Sequence, residues 1–179
     1  MAGINRAEIL RDKDITEETQ PQALLEEYVR FLNKYNCKGV CVFISHKSED
    51  KLRAKHIGDA LNKLGIDVYL DMFDDGLQRA TAIGDNKQIV WHIQKAISVS
   101  THMLILLSKD TARSWWVPYE IGYAQKSNRD IASYLLTQGL ERPDYLQIVE
   151  KIDNATELTD YAQKLAVVNK HKNWQALLG

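Results

Sequence analysis

The stretch Val40, Cys41, Val42, Phe43, Ile44, Ser45, His46, Lys47, Ser48, Glu49, Asp50 decides the fold. Val40 to Ile44 is apolar throughout and rich in β-branched and aromatic side chains, which reads as a strand buried on both faces. The polar run behind it opens a helix: Ser48 is placed to cap it, and Glu49 and Asp50 suit its positive end. A doubly buried strand that runs directly into a helix is the first half of a βαβ unit.

Working outward, Leu52, Ile57, Ala60, Leu61 and Leu64 form one helical stripe, and Gly65 supplies its stop. Gly58 in that helix costs stability unless close packing requires it. Val68 to Leu70 reads as the second strand, ending at Asp71, and a long loop is expected over Asp71 to Gly84. The next helix starts near Asp85, where Ile89, Val90, Ile93, Ala96 and Ile97 take up the period. Met103 to Leu107 and Ile131 to Leu136 read as further strands, Ile148 to Ile152 as an edge strand, and Leu158, Tyr161, Leu165 and Val168 mark a last helix. This alternation predicts an α/β fold, a central parallel sheet flanked by helices on both faces.

Before the first strand, residues 1 to 20 are polar and without period. Leu24, Leu25, Tyr28, Phe31, Leu32 and Tyr35 then recur at helical spacing after Pro21. Asn36 to Gly39 breaks the pattern, so residues 1–37 are expected to be a helical extension and residues 38–179 one core domain. A chain of 179 residues has no room for a second full domain.

Composition narrows the function classes. Hydrophobic residues make up 45% and charged residues 26%, as in a folded soluble protein. A net charge of -1 gives no basic field for nucleic acid. No apolar run is long enough to span a membrane, and Arg6, Glu8, Arg11, Asp12 and Asp14 occupy the place of a signal peptide's apolar core, so a cytoplasmic protein is expected. Cys37 and Cys41 fit neither a C-x-x-C pair nor a zinc set and read as reduced thiols. The histidines lack metal-ligand spacing, and only His46 falls at a strand end.

In parallel α/β sheets the ligand crevice lies at the carboxyl ends of the strands. That directs attention to Ser45 to Asp50, Asp71 to Gly84, Ser108 to Glu120, and Thr137 onward. The third segment sets Ser114, Trp115, Trp116, Val117, Pro118, Tyr119 and Glu120 around one helix start, where Pro118 is tolerated. Trp116 and Glu120 share a helix face one turn apart. An indole face and a carboxylate suit a pyridine nucleotide, the ring by stacking and the acid by bonding ribose hydroxyls or offsetting positive charge at the anomeric carbon. From spacing alone, the tryptophans read equally as core or interface residues and Glu120 as a solvated helix acid. Ser45 and His46 offer hydrogen bonds and Lys47 a phosphate contact, or the run is only a helix cap. No G-x-G-x-x-G, P-loop, G-x-S-x-G, H-E-x-x-H or deaminase signature occurs, which disfavours dehydrogenases, kinases, esterases, zincins and deaminases.

Together these motifs resemble the Toll/interleukin receptor (TIR) domains, especially the stand-alone bacterial kind found in antiphage defence. The likeness runs from Val42 to Asp50, continues over Gly65 to Asp71, and reaches Ser114, Trp116 and Glu120 on the pattern S-x-W-x-x-x-E; it covers roughly residues 38 to 165. It departs from the commonest pattern at Val117, where cysteine is frequent, and in carrying Trp115.

The resemblance implies a flavodoxin-like TIR fold over residues 38–179. It also implies an enzyme that cleaves NAD, with Glu120 catalytic and Phe43, Ser45, His46, Lys47, Asp71 and Trp116 contacting substrate. NAD is then the substrate, with no cofactor and no metal. It further implies self-association through the 71–84 loop, a reading that exposure of Met72 and Phe73 would favour, and a separate effector answering a nucleotide signal. Two other readings stand beside this one: a non-enzymatic module that recruits other TIR proteins, and a nucleoside deoxyribosyltransferase-like enzyme.

Overall fold

The computed structural model describes residues 2–10, Arg30 and 39–178. The amphipathic stretch expected from Leu24 to Tyr35 (Arg30 excepted), the boundary at Asn36 to Gly39 (Gly39 excepted), and Cys37 lie outside the described residues. Five parallel strands form one sheet: β1 (Cys41–Ser45), β2 (Asp67–Tyr69), β3 (His102–Leu107), β4 (Asp130–Leu135) and β5 (Glu150–Ile152), in the order β2-β1-β3-β4-β5. That order reverses direction between β1 and β3, which makes the gap beyond their carboxyl ends the topological switch point of a flavodoxin-like sheet.

Alternation along the strands sorts the core into two layers. Cys41, Phe43, Met103, Ile105 and Leu107 face one side, against α1 (Arg6–Leu10), α3 (Asp75–Ile83), α4 (Asn86–Ser98) and α5 (Trp116–Lys126). Val42, Ile44, Leu104 and Leu106 face the other, against α2 (Lys51–Lys63) and α6 (Ala155–Leu178). Every residue of β1 and β3 is buried, which is why the sequence shows unbroken apolar runs there.

Helix ends follow local chemistry. Asp85 caps α4 by accepting from the backbone amides of Lys87 and Gln88; a cap of this kind contributes about 1 kcal/mol. Gly65, at φ 82°, takes the left-handed turn that ends α2. Gly58 meets the packing requirement that justifies its cost, since a Cβ there would lie 2.8 Å from Leu70 Cδ1.

Several expectations are corrected. Ser48 does not cap a helix; it begins a 3-10 turn over Ser48–Asp50, and Asp50 stands before α2. Of the expected stripe, Leu52 (65% exposed), Ala60 and Leu64 face outward, because the buried face of α2 runs through Ala54, Gly58 and Leu61. The segment Asp71 to Gly84 is not a loop: a 3-10 turn over Asp71–Phe73 leads into α3, capped by Asp74, whose side chain accepts from the Leu77 amide. Met72 and Phe73 are half-buried against the core rather than exposed.

The start of the chain is ordered by long-range contacts. Asn5 forms a parallel bridge with Val68 beyond the edge of β2, and Ala7 and Leu10 are buried in the core. Arg6, 2% exposed, donates to Asp67 Oδ2 at 2.9 Å and to the Val99 carbonyl at 2.6 Å. At the opposite end, Asn169 of α6 accepts from the Val40 amide and donates to the Gly65 carbonyl, each at 2.7 Å. Among the described residues no helix is long and apolar enough to cross a membrane.

Candidate active site

Two elements meet at the switch point. β1 delivers Ser45 as its last residue, and α5 delivers Glu120 from its second turn. The α5 start is built locally: Ser114 Oγ accepts from the Trp116 and Val117 amides at 3.3 and 3.4 Å, and Pro118 sits in the first turn, where an amide hydrogen is not needed. Val117 and Ile121 anchor the helix in the core, and this turns Glu120 inward.

Ser45 Oγ donates to Glu120 Oε2 at 2.5 Å. Glu120 is 9% exposed, and burial pushes its carboxyl up to about 7. The bond from Ser45 opposes that rise and the charge of Asp71 adds to it. An enclosed carboxyl with this acidity changes ionisation in the physiological range, the behaviour required of an acid-base or charge-stabilising group.

His46 and Asp71 complete the cluster. His46 Nε2 lies 3.5 Å from Asp71 Oδ1, and His46 Nδ1 lies 3.1 Å from the Ile44 carbonyl, which orients the ring. Burial raises the Asp71 carboxyl above the usual range, with His46 working against the rise. Four of the residues singled out in the sequence are therefore brought together: Ser45, His46, Asp71 and Glu120.

The other three stand at its margins. Phe43 lies in the core one layer below Ser45, 2% exposed, with its ring 6.2 Å from that of Tyr69. Lys47 follows His46 in extended backbone and is half-buried. Trp116 is half-buried one turn before Glu120, with its ring edge-on to Tyr119 at 6.2 Å. Tyr119 in turn accepts from Gln94 Nε2 at 2.7 Å. Trp115 points outward and is 93% exposed. In the segment from Thr137 onward, Arg142 bonds to Ser133 and to the Ile152 carbonyl and so ties the segment to β4 and β5.

Two buried polar clusters escaped sequence reading. Asp50, read only as an acid suited to the positive end of a helix, is 7% exposed and accepts from Ser108 Oγ at 2.5 Å, and Thr111 Oγ1 lies 3.1 Å from the same hydroxyl. This set ties the loop after β1 to the loop after β3. Asp74 accepts from Tyr69 Oη, from His92 Nδ1 at 3.2 Å and from Lys95 Nζ at 3.3 Å. Burial disfavours its charge, yet His92, Lys95 and Tyr69 outweigh that and hold its carboxyl well below the usual range. A polar residue before a strand-end helix was the sequence signal for both aspartates; their partners, 58 and up to 21 residues away, gave none.

Comparison with known proteins places this geometry in context. The family model described as "TIR domain" matches residues 42–167. The chain is 28% identical over 100 residues to a Cytobacillus dafuensis protein named "Putative cyclic ADP-D-ribose synthase TIR2", a match covering 55% of this chain and 26% of that protein. The chain thus spans about a quarter of that relative's length. Among solved structures it is similar to the SEFIR domain of the interleukin-17 receptor B, with a TM-score of 0.48 and 14% identity over 73% of this chain and 96% of that one.

Proposed function

Since the chain belongs to the TIR domain family, the family model matching residues 42–167, we propose that it cleaves the bond between nicotinamide and ribose in NAD, with Glu120 as its essential carboxylate. The observation that carries this reading is the enclosed Glu120 carboxyl, bonded to Ser45 at the switch point and titrating at about 7. The name of the Cytobacillus relative supports the same class of reaction.

When the glycosidic bond breaks, its electron pair goes to the pyridinium nitrogen, and nicotinamide leaves neutral without needing a proton. One carboxylate then suffices, in contrast to glycosidases whose leaving oxygen must be protonated. Ionised Glu120 offsets the oxocarbenium-like charge on the ribosyl group and binds ribose hydroxyls, and the enclosed setting strengthens both effects. Water adds to the anomeric carbon and loses a proton to give ADP-ribose. Attack by a nucleophilic atom of the same molecule gives a cyclic ADP-ribose instead. Ser45 and His46 line the approach, Asp71 orients His46, Lys47 is placed for a phosphate, and Trp116 borders a ring of the dinucleotide. NAD is substrate here, and the reaction calls for neither cofactor nor metal.

In this reading the protein acts in the cytoplasm in antiphage defence, and a cyclic product signals to a separate effector. Self-association through residues 71–84 remains part of the proposal. Because Met72 and Phe73 are half-buried, the contact would use the far end of the segment, where Ile83 is 78% exposed. The alternative of a non-enzymatic TIR interaction module draws support from Trp115, whose exposed indole is a ready contact surface.

The test is incubation of the purified protein with NAD at high protein concentration beside Glu120→Ala, following nicotinamide and ADP-ribose products by chromatography. Nicotinamide release by the wild type and its loss in the folded variant is the expected result. No release from a folded, assembled wild type selects the interaction module.

A further inference from the structure

Cleavage of the glycosidic bond needs no proton, but the next step releases one, because water that joins the anomeric carbon must give up a hydrogen. Glu120 is poorly suited to receive it. Its carboxyl already accepts from Ser45 Oγ at 2.5 Å, and it has to stay ionised while positive charge remains on the ribosyl group.

Asp71 is the other carboxyl of the cluster. Phe43 of β1 stands opposite Tyr69 of β2, and the backbone is still extended at Leu70, with φ -112° and ψ 113°. Two residues beyond that pair come Ser45 and Asp71, so the alternation brings Asp71 out level with Ser45 on the sheet face that α5 covers. Glu120 feels its charge there. The Asp71 side chain is 29% exposed and that of His46 is 3% exposed, so a bound molecule reaches the carboxyl and not the ring.

His46 supports this carboxyl from behind. Its Nδ1 lies 3.1 Å from the Ile44 carbonyl, which can only accept, so Nδ1 carries a hydrogen. In the neutral ring Nε2 then turns its lone pair toward Asp71 Oδ1 at 3.5 Å. Two facing acceptors favour a proton between them, and one that reaches the carboxyl can settle on Nε2 as an ion pair. Burial also raises the Asp71 carboxyl above the ordinary range, which makes it a stronger proton acceptor than an exposed carboxylate.

We propose that Asp71 is the base of the hydrolytic step, taking the proton of the incoming water, with His46 as its positioning partner. The glycosidic electron pair leaves with nicotinamide, the water oxygen bonds to the anomeric carbon, and the O–H hydrogen passes as a proton to the Asp71 carboxylate. Solvent recovers it after ADP-ribose departs. This assignment rests on the proposed cleavage of NAD, and it makes Asp71 the group that favours water over nucleophiles with no hydrogen to lose.

The test follows two reactions of the whole chain with NAD: formation of ADP-ribose, and incorporation of isotope-labelled nicotinamide into NAD. The ring nitrogen of nicotinamide loses no hydrogen when it joins the ribosyl carbon, so only hydrolysis calls on the base. Asp71→Asn should raise the ratio of exchange to hydrolysis about tenfold or more, with the circular dichroism spectrum retained. Asp71→Glu, which keeps a carboxylate, should bring the ratio back toward that of the wild type, and Glu120→Gln should lower both reactions together. His46→Gln should move the ratio in the same direction as Asp71→Asn, and it decides the outcome if that variant does not fold. An unchanged ratio, including a parallel fall of both reactions, overturns the assignment of Asp71 and leaves NAD cleavage standing. A folded, assembled wild type that releases no nicotinamide overturns the cleavage of NAD and this assignment with it.

Discussion

Ser45 Oγ sits 2.5 Å from Glu120 Oε2, a hydrogen bond across 75 residues that fastens the end of β1 to the second turn of α5. It is also an electrostatic control, because it favours the ionised carboxylate while burial and Asp71 disfavour it. Ser45→Ala should therefore raise the Glu120 carboxyl further. The acid limb of kcat/KM for NAD cleavage should move above pH 7 by on the order of one unit, as expected from losing a bond to a charged group. A limb that stays in place while the rate falls uniformly would show that the hydroxyl serves another purpose.

In the unaltered protein, cleavage needs ionised Glu120, so the rate should fall about tenfold for each pH unit below the carboxyl's value of about 7 and level off above it. Glu120→Gln should lower kcat by about a thousandfold or more on the plateau above the carboxyl's value, with the circular dichroism spectrum retained. A pH profile that is flat over roughly pH 5 to 8 would contradict the assignment.

The same carboxyl links stability to pH. Its folded value of about 7 lies above the ordinary 4.5, so between those values the folded state holds more protons than the unfolded one. Stability due to this group is thus present below pH 4.5 and lost as pH rises through about 7. The loss amounts to roughly 3 kcal/mol at the upper end. Glu120→Gln should remove this slope, so urea midpoints of variant and wild type should diverge with rising pH, the variant being the more stable at pH 8, roughly one unit above the transition. Parallel curves would rule the shift out.

What the sequence revealed, and what it hid, follows the range of the interactions. The unbroken run from Val40 to Ile44 and the stripe of Ile89, Ile93, Ala96 and Ile97 report burial that each residue experiences directly, so strands and helices were legible within a residue or two. α3 was misread as loop because Asp75, Gly76, Gln78, Arg79 and Thr81 leave little apolar period and Gly76 weakens the helix signal. The reason for Gly76 lies elsewhere: a Cβ there would stand 2.1 Å from His92 Cε1. Residues 2–10 looked featureless because Arg6 finds Asp67 and Asn5 finds Leu70 only once the sheet exists. Ser45 and His46 were singled out because a strand end is a local property, whereas spacing alone left Glu120 open as a solvated helix acid and the family resemblance singled it out. The partnerships of Asp50 with Ser108 and of Asp74 with Lys95 were not legible.

The Asp74 cluster supplies a stability test. Lys95 is 7% exposed, and burial lowers its pKa while Asp74 works to keep the ammonium charged. Asp74→Asn leaves that ammonium without its counter-charge and should destabilise the fold by roughly 3 kcal/mol at neutral pH. Because the Asp74 carboxyl is depressed in the fold, its contribution is present above the ordinary value of 3.8 and is lost only as pH falls below it. The double change Asp74→Asn with Lys95→Met should recover most of the loss, since an apolar replacement removes the unpaired charge. Equal urea midpoints for the single and double variants would show that the ion pair is not the source of the effect.

Trp115 separates folding from function most cleanly. At 93% exposure its indole has almost no contact to lose, so Trp115→Ala should change unfolding free energy by less than about 0.5 kcal/mol. Its neighbour Trp116 packs on Tyr119, and Trp116→Ala should cost about 2 kcal/mol or more. An indole this exposed at the start of the helix that carries Glu120 is suited to a second copy of the chain or to a ring of the substrate. Trp115→Ala should therefore reduce NAD cleavage about tenfold without altering the melting temperature. Sedimentation then assigns the cause: a smaller assembly identifies a contact between copies, whereas an unchanged assembly with a raised KM identifies a contact to substrate. Unchanged activity and unchanged assembly would leave the indole with no part in either.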